Sequence, residues 1–268
     1  MGINEWWLAY LVLGAFVGFF AGLLGVGGGA IMVPMLTTMF AAQGFPKSEV
    51  VHLALGTSMA AIVLTSLSSL RAHHAHGAVL WPVVRAIAPG VLVGTFAATF
   101  VAANLPTRPL ALFFAAFMAY VSVQMFLNIK PKPSRELPGS VGMSAVGVGI
   151  GAVSALVAIG GGSLSVPFMT WCNVKVHNAI GTSAAIGLPI AVAGTVGYLA
   201  NGWGRDGLPD LTLGFIYVPA LVLVSLVSTI TAPLGARLAH RLPVPTLKRV
   251  FAVLVLFLCA KMLHSVMG

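Results

Sequence analysis

The sequence predicts an all-α polytopic membrane protein made of two inverted repeats. Three observations predict it. The 268 residues are 59% hydrophobic and only 7% charged, against about 25% charged in a soluble domain; mean hydropathy is +1.02. Apolar runs, most of them one helix long, alternate with short polar breaks, as spans of ~20 residues require. The chain also repeats itself, motif for motif, in its two halves.

The apolar runs cover 6–42, 48–70, 78–103, 107–128, 140–172, 176–200, 211–236 and 245–265. These eight segments correspond to 8–10 spans, because two of them, 6–42 and 140–172, are too long for one simple crossing. Each of the two is interrupted by glycines, in 25–29 and at 160–162. Every glycine costs a helix interior about 1 kcal/mol relative to Ala, so a triple glycine reads as a break. Isolated GxxxG patterns elsewhere are given no weight, since they are common in membrane helices.

The repeat is explicit. Residues 26–34 match 159–167 at five of nine positions, including all three glycines, the Val and the Pro. The segment Gly56, Thr57, Ser58 recurs as Gly181, Thr182, Ser183, and His52 recurs as His177. The first repeat is expected over 1–128 and the second over 140–268. The stretch 129–139, rich in Lys, Pro and Arg, links them.

Loop charges set the expected orientation. If each glycine-broken segment folds back as a hairpin or re-entrant loop, nine Lys and Arg fall on one side: Arg71, Lys130, Lys132, Arg135, Lys175, Arg237, Arg241, Lys248 and Arg249. Four fall on the other: Lys47, Arg108, Arg205 and Lys261. That asymmetry satisfies the positive-inside tendency. It also gives each repeat an odd parity, which inverts the halves and places both termini outside.

The same features nominate a site. Gly27, Gly28, Gly29 and Gly160, Gly161, Gly162 each precede a short apolar stretch. Read as half-helices, these stretches offer unpaired N–H groups and a dipole that favour an anion. Paired broken segments in inverted halves point to a transporter's central site. Thr57, Ser58, Thr182 and Ser183 add hydroxyls; bonding within their own helices is the competing role. Ser163 adds another. His52 and His177 could donate to an anion or carry a proton; residence at the interface is their ordinary use. His73, His74 and His76 read as interface polarity, Arg85 as a side chain that snorkels, and Asn201 as a cap on its span. Cys172 and Cys259 form no metal motif.

Some function classes drop out. The five acids, Glu5, Glu49, Glu136, Asp206 and Asp210, all lie at or between span ends, so a cation path of buried carboxylates is not expected. The +9 charge is that of basic cytoplasmic loops rather than of a nucleic-acid binder. No GxSxG, HExxH or Walker pattern occurs. No enzyme and no cofactor are therefore expected.

The doubled glycine–Val–Pro motif with its Gly-Thr-Ser companion resembles the sulfite exporter TauE/SafE family of anion permeases, over nearly the whole chain. The resemblance implies a secondary transporter for sulfite, sulfonates or other sulfur-containing anions, with Gly27, Gly28, Gly29, Thr57, Ser58, Gly160, Gly161, Gly162, Thr182 and Ser183 at the motif positions. One departure is Ser163 and Ser165 where the first half has Ala30 and Met32, which predicts unequal contributions from the halves. The expected partners are a small anionic substrate and membrane lipid, with a homo-oligomer left open. The expected location is the bacterial inner membrane. An anion channel, a permease for another small organic anion or a metal, and a non-transporting membrane subunit are the alternatives.

Overall fold

The computed structural model describes residues 3–24, 28–127, 133–239 and 244–267. It contains helices α1 (Ile3–Leu24), α2 (Gly29–Ala42), α3 (Val50–Ala75), α4 (Trp81–Asn104), α5 (Thr107–Phe126), α6 (Ser140–Val157), α7 (Gly162–Trp171), α8 (Val176–Gly202), α9 (Val218–Ala239) and α10 (Val244–Met267). Seven helices among the described residues are long and apolar enough to cross a membrane. Helices α2 and α7 are shorter, about 21 and 15 Å at 1.5 Å per residue. Each therefore spans only part of a ~30 Å hydrocarbon core. Both long apolar runs are split at their glycines, as the sequence predicts. The run at 211–236 differs from expectation. It opens with a small antiparallel hairpin, β1 (Thr212–Leu213) and β2 (Ile216–Tyr217), before α9 begins.

Two helix pairs form the outer framework. On α1, Gly14, Gly18 and Gly22 lie against Val224, Ser228 and Ala232 of α9. On α6, Gly147 and Gly151 lie against Ile87 and Val91 of α4, while Gly90 and Gly94 of α4 meet Ser144 and Val148 of α6. Lipid is as apolar as a side chain, so small residues gain van der Waals contact by letting backbones approach. The GxxxG patterns set aside in the sequence thus carry the main seams. They also exchange across the halves: the first helix of each repeat packs on the fourth helix of the other.

Contacts also fix direction. Tyr10 of α1 meets Phe40 of α2 at 6.4 Å between ring centroids and accepts a hydrogen bond from Gln43 at 2.5 Å. Gly28, at the start of α2, lies by Val17 of α1. Helix α2 therefore returns alongside α1 to the face where α1 begins. The second repeat folds similarly: Ser134 and Arg135, just before α6, donate backbone bonds to the Trp171 carbonyl at the end of α7. Repeat-equivalent helices run antiparallel. On α3 and α8, Gly56 pairs with Tyr198 and Met59 with Gly194. On α5 and α10, Arg249 lies 5.8 Å over the Phe126 ring.

Candidate substrate site at the glycine breaks

The two breaks meet halfway along the molecule. A Cβ on Gly29 would overlap the Ala158 carbonyl oxygen, and Ile62 of α3 touches both Gly29 and Gly160. The carbonyl of Gly160 in turn lies against Gly187 of α8. Ile62 and Gly187 sit near the midpoints of α3 and α8, so this junction is at mid-depth. Gly27 lies outside the described residues. Gly28 caps α2 in a right-handed conformation, φ −69°. Gly161 caps α7 in a left-handed one, φ 78°, where any L side chain is strained.

The breaks expose helix ends. The carbonyl of Gly28 accepts from Ile31 and Met32, and that of Gly161 from Leu164 and Ser165. That leaves Gly29 and Ala30 in α2, and Gly162 and Ser163 in α7, with no acceptor inside their own helices. Pro34 and Pro167 stand in the second turn of each half-helix and remove one further internal bond apiece. The first turns of both half-helices carry no charged side chain.

Hydroxyls divide unevenly around this junction. Ser165 donates to Gly161 O at 2.8 Å, and its hydroxyl lies 2.9 Å from that of Ser183. In the first repeat the position of Ser165 is held by Met32, whose thioether is a poor acceptor. Ser58, the counterpart of Ser183, is fully buried and its Oγ has no hydrogen-bond partner. The Oγ of Ser163 is also buried and unpartnered. At the motif positions the unpartnered hydroxyls are Ser58 in the first half and Ser163 in the second.

Residues 10–262 match the family described as "Sulfite exporter TauE/SafE". The chain belongs to the TauE/SafE family. It is 36% identical over 257 residues to a probable membrane transporter protein of Haemophilus influenzae, covering 95% of this chain and 97% of that one. It is 27% identical over 254 residues to the probable membrane transporter protein YdhB of Bacillus subtilis, covering 90% and 92%. A probable membrane transporter protein of Methanocaldococcus jannaschii is 24% identical over 239 residues, covering 87% and 86%. No solved structure matches. This TauE/SafE protein is thus a multi-pass membrane transporter.

In this TauE/SafE chain the two threonines are engaged in structure. Thr57 Oγ1 accepts from the backbone N–H of Tyr217 at 2.9 Å, and Thr182 Oγ1 accepts from that of Leu80 at 2.9 Å. Tyr217 immediately precedes α9, and Leu80 immediately precedes α4. Each threonine therefore satisfies an amide at the entry to a helix of the opposite repeat. Sequence reasoning found the residues but not this use, because the partners lie in the other half of the chain. Thr57→Val or Thr182→Val leaves that partly buried amide unpaired, and each is expected to destabilise the protein by about 1–3 kcal/mol. Thermal unfolding in detergent checks this.

The histidines lie away from the junction. His52 is 2% exposed in the first turn of α3, about 15 Å along the helix from Ile62. Its Nε2 lies 3.0 Å from Ala102 O and 3.1 Å from Leu105 O at the end of α4. His177 is exposed in the first turn of α8. The structure does not bring either residue to the glycine breaks. Asn201 donates to Gly197 O at 2.7 Å and to Thr99 at 3.3 Å, closing the end of α8. Arg85 is exposed one turn into α4. Sequence reasoning missed a cluster in which Glu49 lies 3.5 Å from His52 and 3.6 Å from Arg205.

Proposed function

We propose that this protein is a secondary transporter that exports small sulfur-containing anions, sulfite or short organosulfonates, across the bacterial inner membrane. One observation supports the reading: the start of α2 meets the end of α6 at mid-depth, Ile62 bridges Gly29 and Gly160, and Ser58 on α3 and Ser163 at the start of α7 have unpartnered hydroxyls. Backbone amides and the positive ends of helix dipoles suit an oxyanion. They hold its charge without a buried Lys or Arg, so release is not opposed by a full counter-charge. Ser58 and Ser163 supply hydrogen-bond donors, while Ile62 and Met32 offer an apolar wall to an organic substituent.

Direction follows from charge. The face holding the linker, the end of α3 and the start of α8 carries most of the Lys and Arg and is assigned to the cytoplasm. An inside-negative potential then drives an anion outward, by ~2.3 kcal/mol per charge per 100 mV. Access alternates as one repeat rocks against the other, with the Thr57 and Thr182 bonds on opposite sides of the junction as the contacts that give way in turn.

Liposomes carrying the purified protein test this. Labelled sulfite should exchange against unlabelled sulfite in a saturable way, and short sulfonates should compete. An ohmic current that never saturates would replace the transporter reading with a channel. Ser58→Ala and Ser163→Ala should each raise the half-saturating concentration about tenfold, the worth of one hydrogen bond to a charged ligand, with thermal stability retained.

A further inference from the structure

The face on which α3 begins carries a second polar cluster, remote from the glycine junction and built from both repeats. The first repeat supplies Glu49, the N-cap residue of α3, together with His52 and the last carbonyls of α4. The second supplies Arg205, after α8, and Phe215 in the hairpin turn. His52 stacks on Phe215 at 5.3 Å with 29° between ring planes. The Arg205 guanidinium lies 5.3 Å from the same ring and donates to Ala103 O at 3.2 Å.

Proton accounting singles out one atom pair. Nε2 of His52 faces two carbonyl oxygens, which can only accept, so Nε2 carries hydrogen. In a neutral ring Nδ1 is then a bare acceptor. It faces Glu49 Oε2 at 3.5 Å, an acceptor as well when ionised. Both atoms are buried, and neither has a hydrogen-bond partner. Two orphaned acceptors pointed at each other are satisfied together by one added proton. Arg205 and Glu49 are the charged groups that act on His52; α4 presents only carbonyls and the hairpin only Phe215. Burial is the largest effect and opposes a cation here, the carboxylate and the C-terminal carbonyls of α4 favour one, and Arg205 opposes it while being drawn itself to Glu49 Oε1 at 3.6 Å.

We infer that His52 Nδ1 and Glu49 Oε2 form a proton-binding site that latches the two repeats together on this face. Proton uptake converts a facing pair of acceptors into a charge-assisted hydrogen bond. It strengthens the contact between the start of α3, the end of α4 and the α8–α9 hairpin. A state in which this face is sealed gains by that bond, and a state in which the face opens does not. Acid on this side therefore holds the transporter closed toward it. The role is distinct from binding the anion, and the inference draws on the transporter reading only for its flux measurement.

Two measurements on the full-length protein test it. In detergent, with histidines 15N-labelled, the His52 ring should take up one proton on acidification. Its midpoint should move by about one pH unit or more in Glu49→Gln. A ring that holds one protonation state throughout, or a midpoint indifferent to Glu49→Gln, overturns the proton site. In liposomes, exchange of a short alkanesulfonate, whose own charge stays fixed, should fall about tenfold on acidification. That fall should vanish in His52→Gln and in Glu49→Gln. Wild-type flux that ignores pH, or variants that keep the wild-type profile, overturn the latch. A normal His52 titration without any sulfonate or sulfite flux would instead sink the transport reading and leave the proton site standing.

Discussion

Gly29→Ala is expected to abolish anion exchange while the protein still inserts. The added methyl has nowhere to go, because it would occupy the space of the Ala158 carbonyl oxygen, a backbone atom that cannot rotate aside. Overpacking of this kind costs about 1–3 kcal/mol. Here the displacement falls where the two breaks touch, so the misfit moves the start of α2 away from the end of α6. Gly28→Ala is the internal comparison. Its methyl meets the Val17 side chain, which can shift, and a milder loss follows. Gly161→Val should resemble Gly29→Ala for a different reason, since φ of 78° excludes a β-branched residue. Sulfite counterflow, normalised to the amount of protein in the liposomes, reads all three. Wild-type exchange by Gly29→Ala would mean that the breaks do not meet at the substrate path.

Gly90→Leu should have the other large effect, on folding rather than transport. Position 90 lies on the α4–α6 seam, and its Cβ would overlap Ser144 O. A leucine there forces apart two helices that approach through glycines over two turns, destabilising the protein by about 3 kcal/mol or more. The hydrogen bond from Ser144 to Ala86 O at 2.8 Å would be lost with the seam. Gly149→Leu is the matched control, on α6 but with nothing within 4 Å of its added Cβ. Monodisperse yield in detergent and the unfolding temperature should fall for Gly90→Leu and stay level for Gly149→Leu. Equal effects would show that the seam is not held by close backbone approach.

Much of this architecture is legible in the sequence because its signals are local. Apolar runs, triple glycines and the doubled Gly-Thr-Ser segment each sit within a few residues, and helix formation in lipid follows directly from run length. What stays hidden depends on partners from the opposite repeat. Thr57 looks the same in sequence whether it meets a ligand or the Tyr217 amide. Glu49 reads as a loop acid until Arg205 is folded against it. The hairpin at 212–217 hides inside an apolar run because Leu213, Phe215 and Ile216 are as hydrophobic as the span that follows. The seams were legible in part: Gly14, Gly18 and Gly22 recur at helical spacing, but spacing alone does not say that α9 waits on that side.

The exchange of helices between repeats has a consequence for how the chain is made. Helix α1 leaves the ribosome with a glycine-lined face whose partner, α9, is among the last segments to be synthesised. Helix α4 likewise enters the bilayer before α6 exists, and its entry amide at Leu80 has no hydroxyl to meet until Thr182 arrives. The first half is therefore an unfinished surface, held in lipid until the second half is made. A chain cut at the linker would yield two pieces that insert but do not settle, each recovering its shape only when the other is produced in the same membrane.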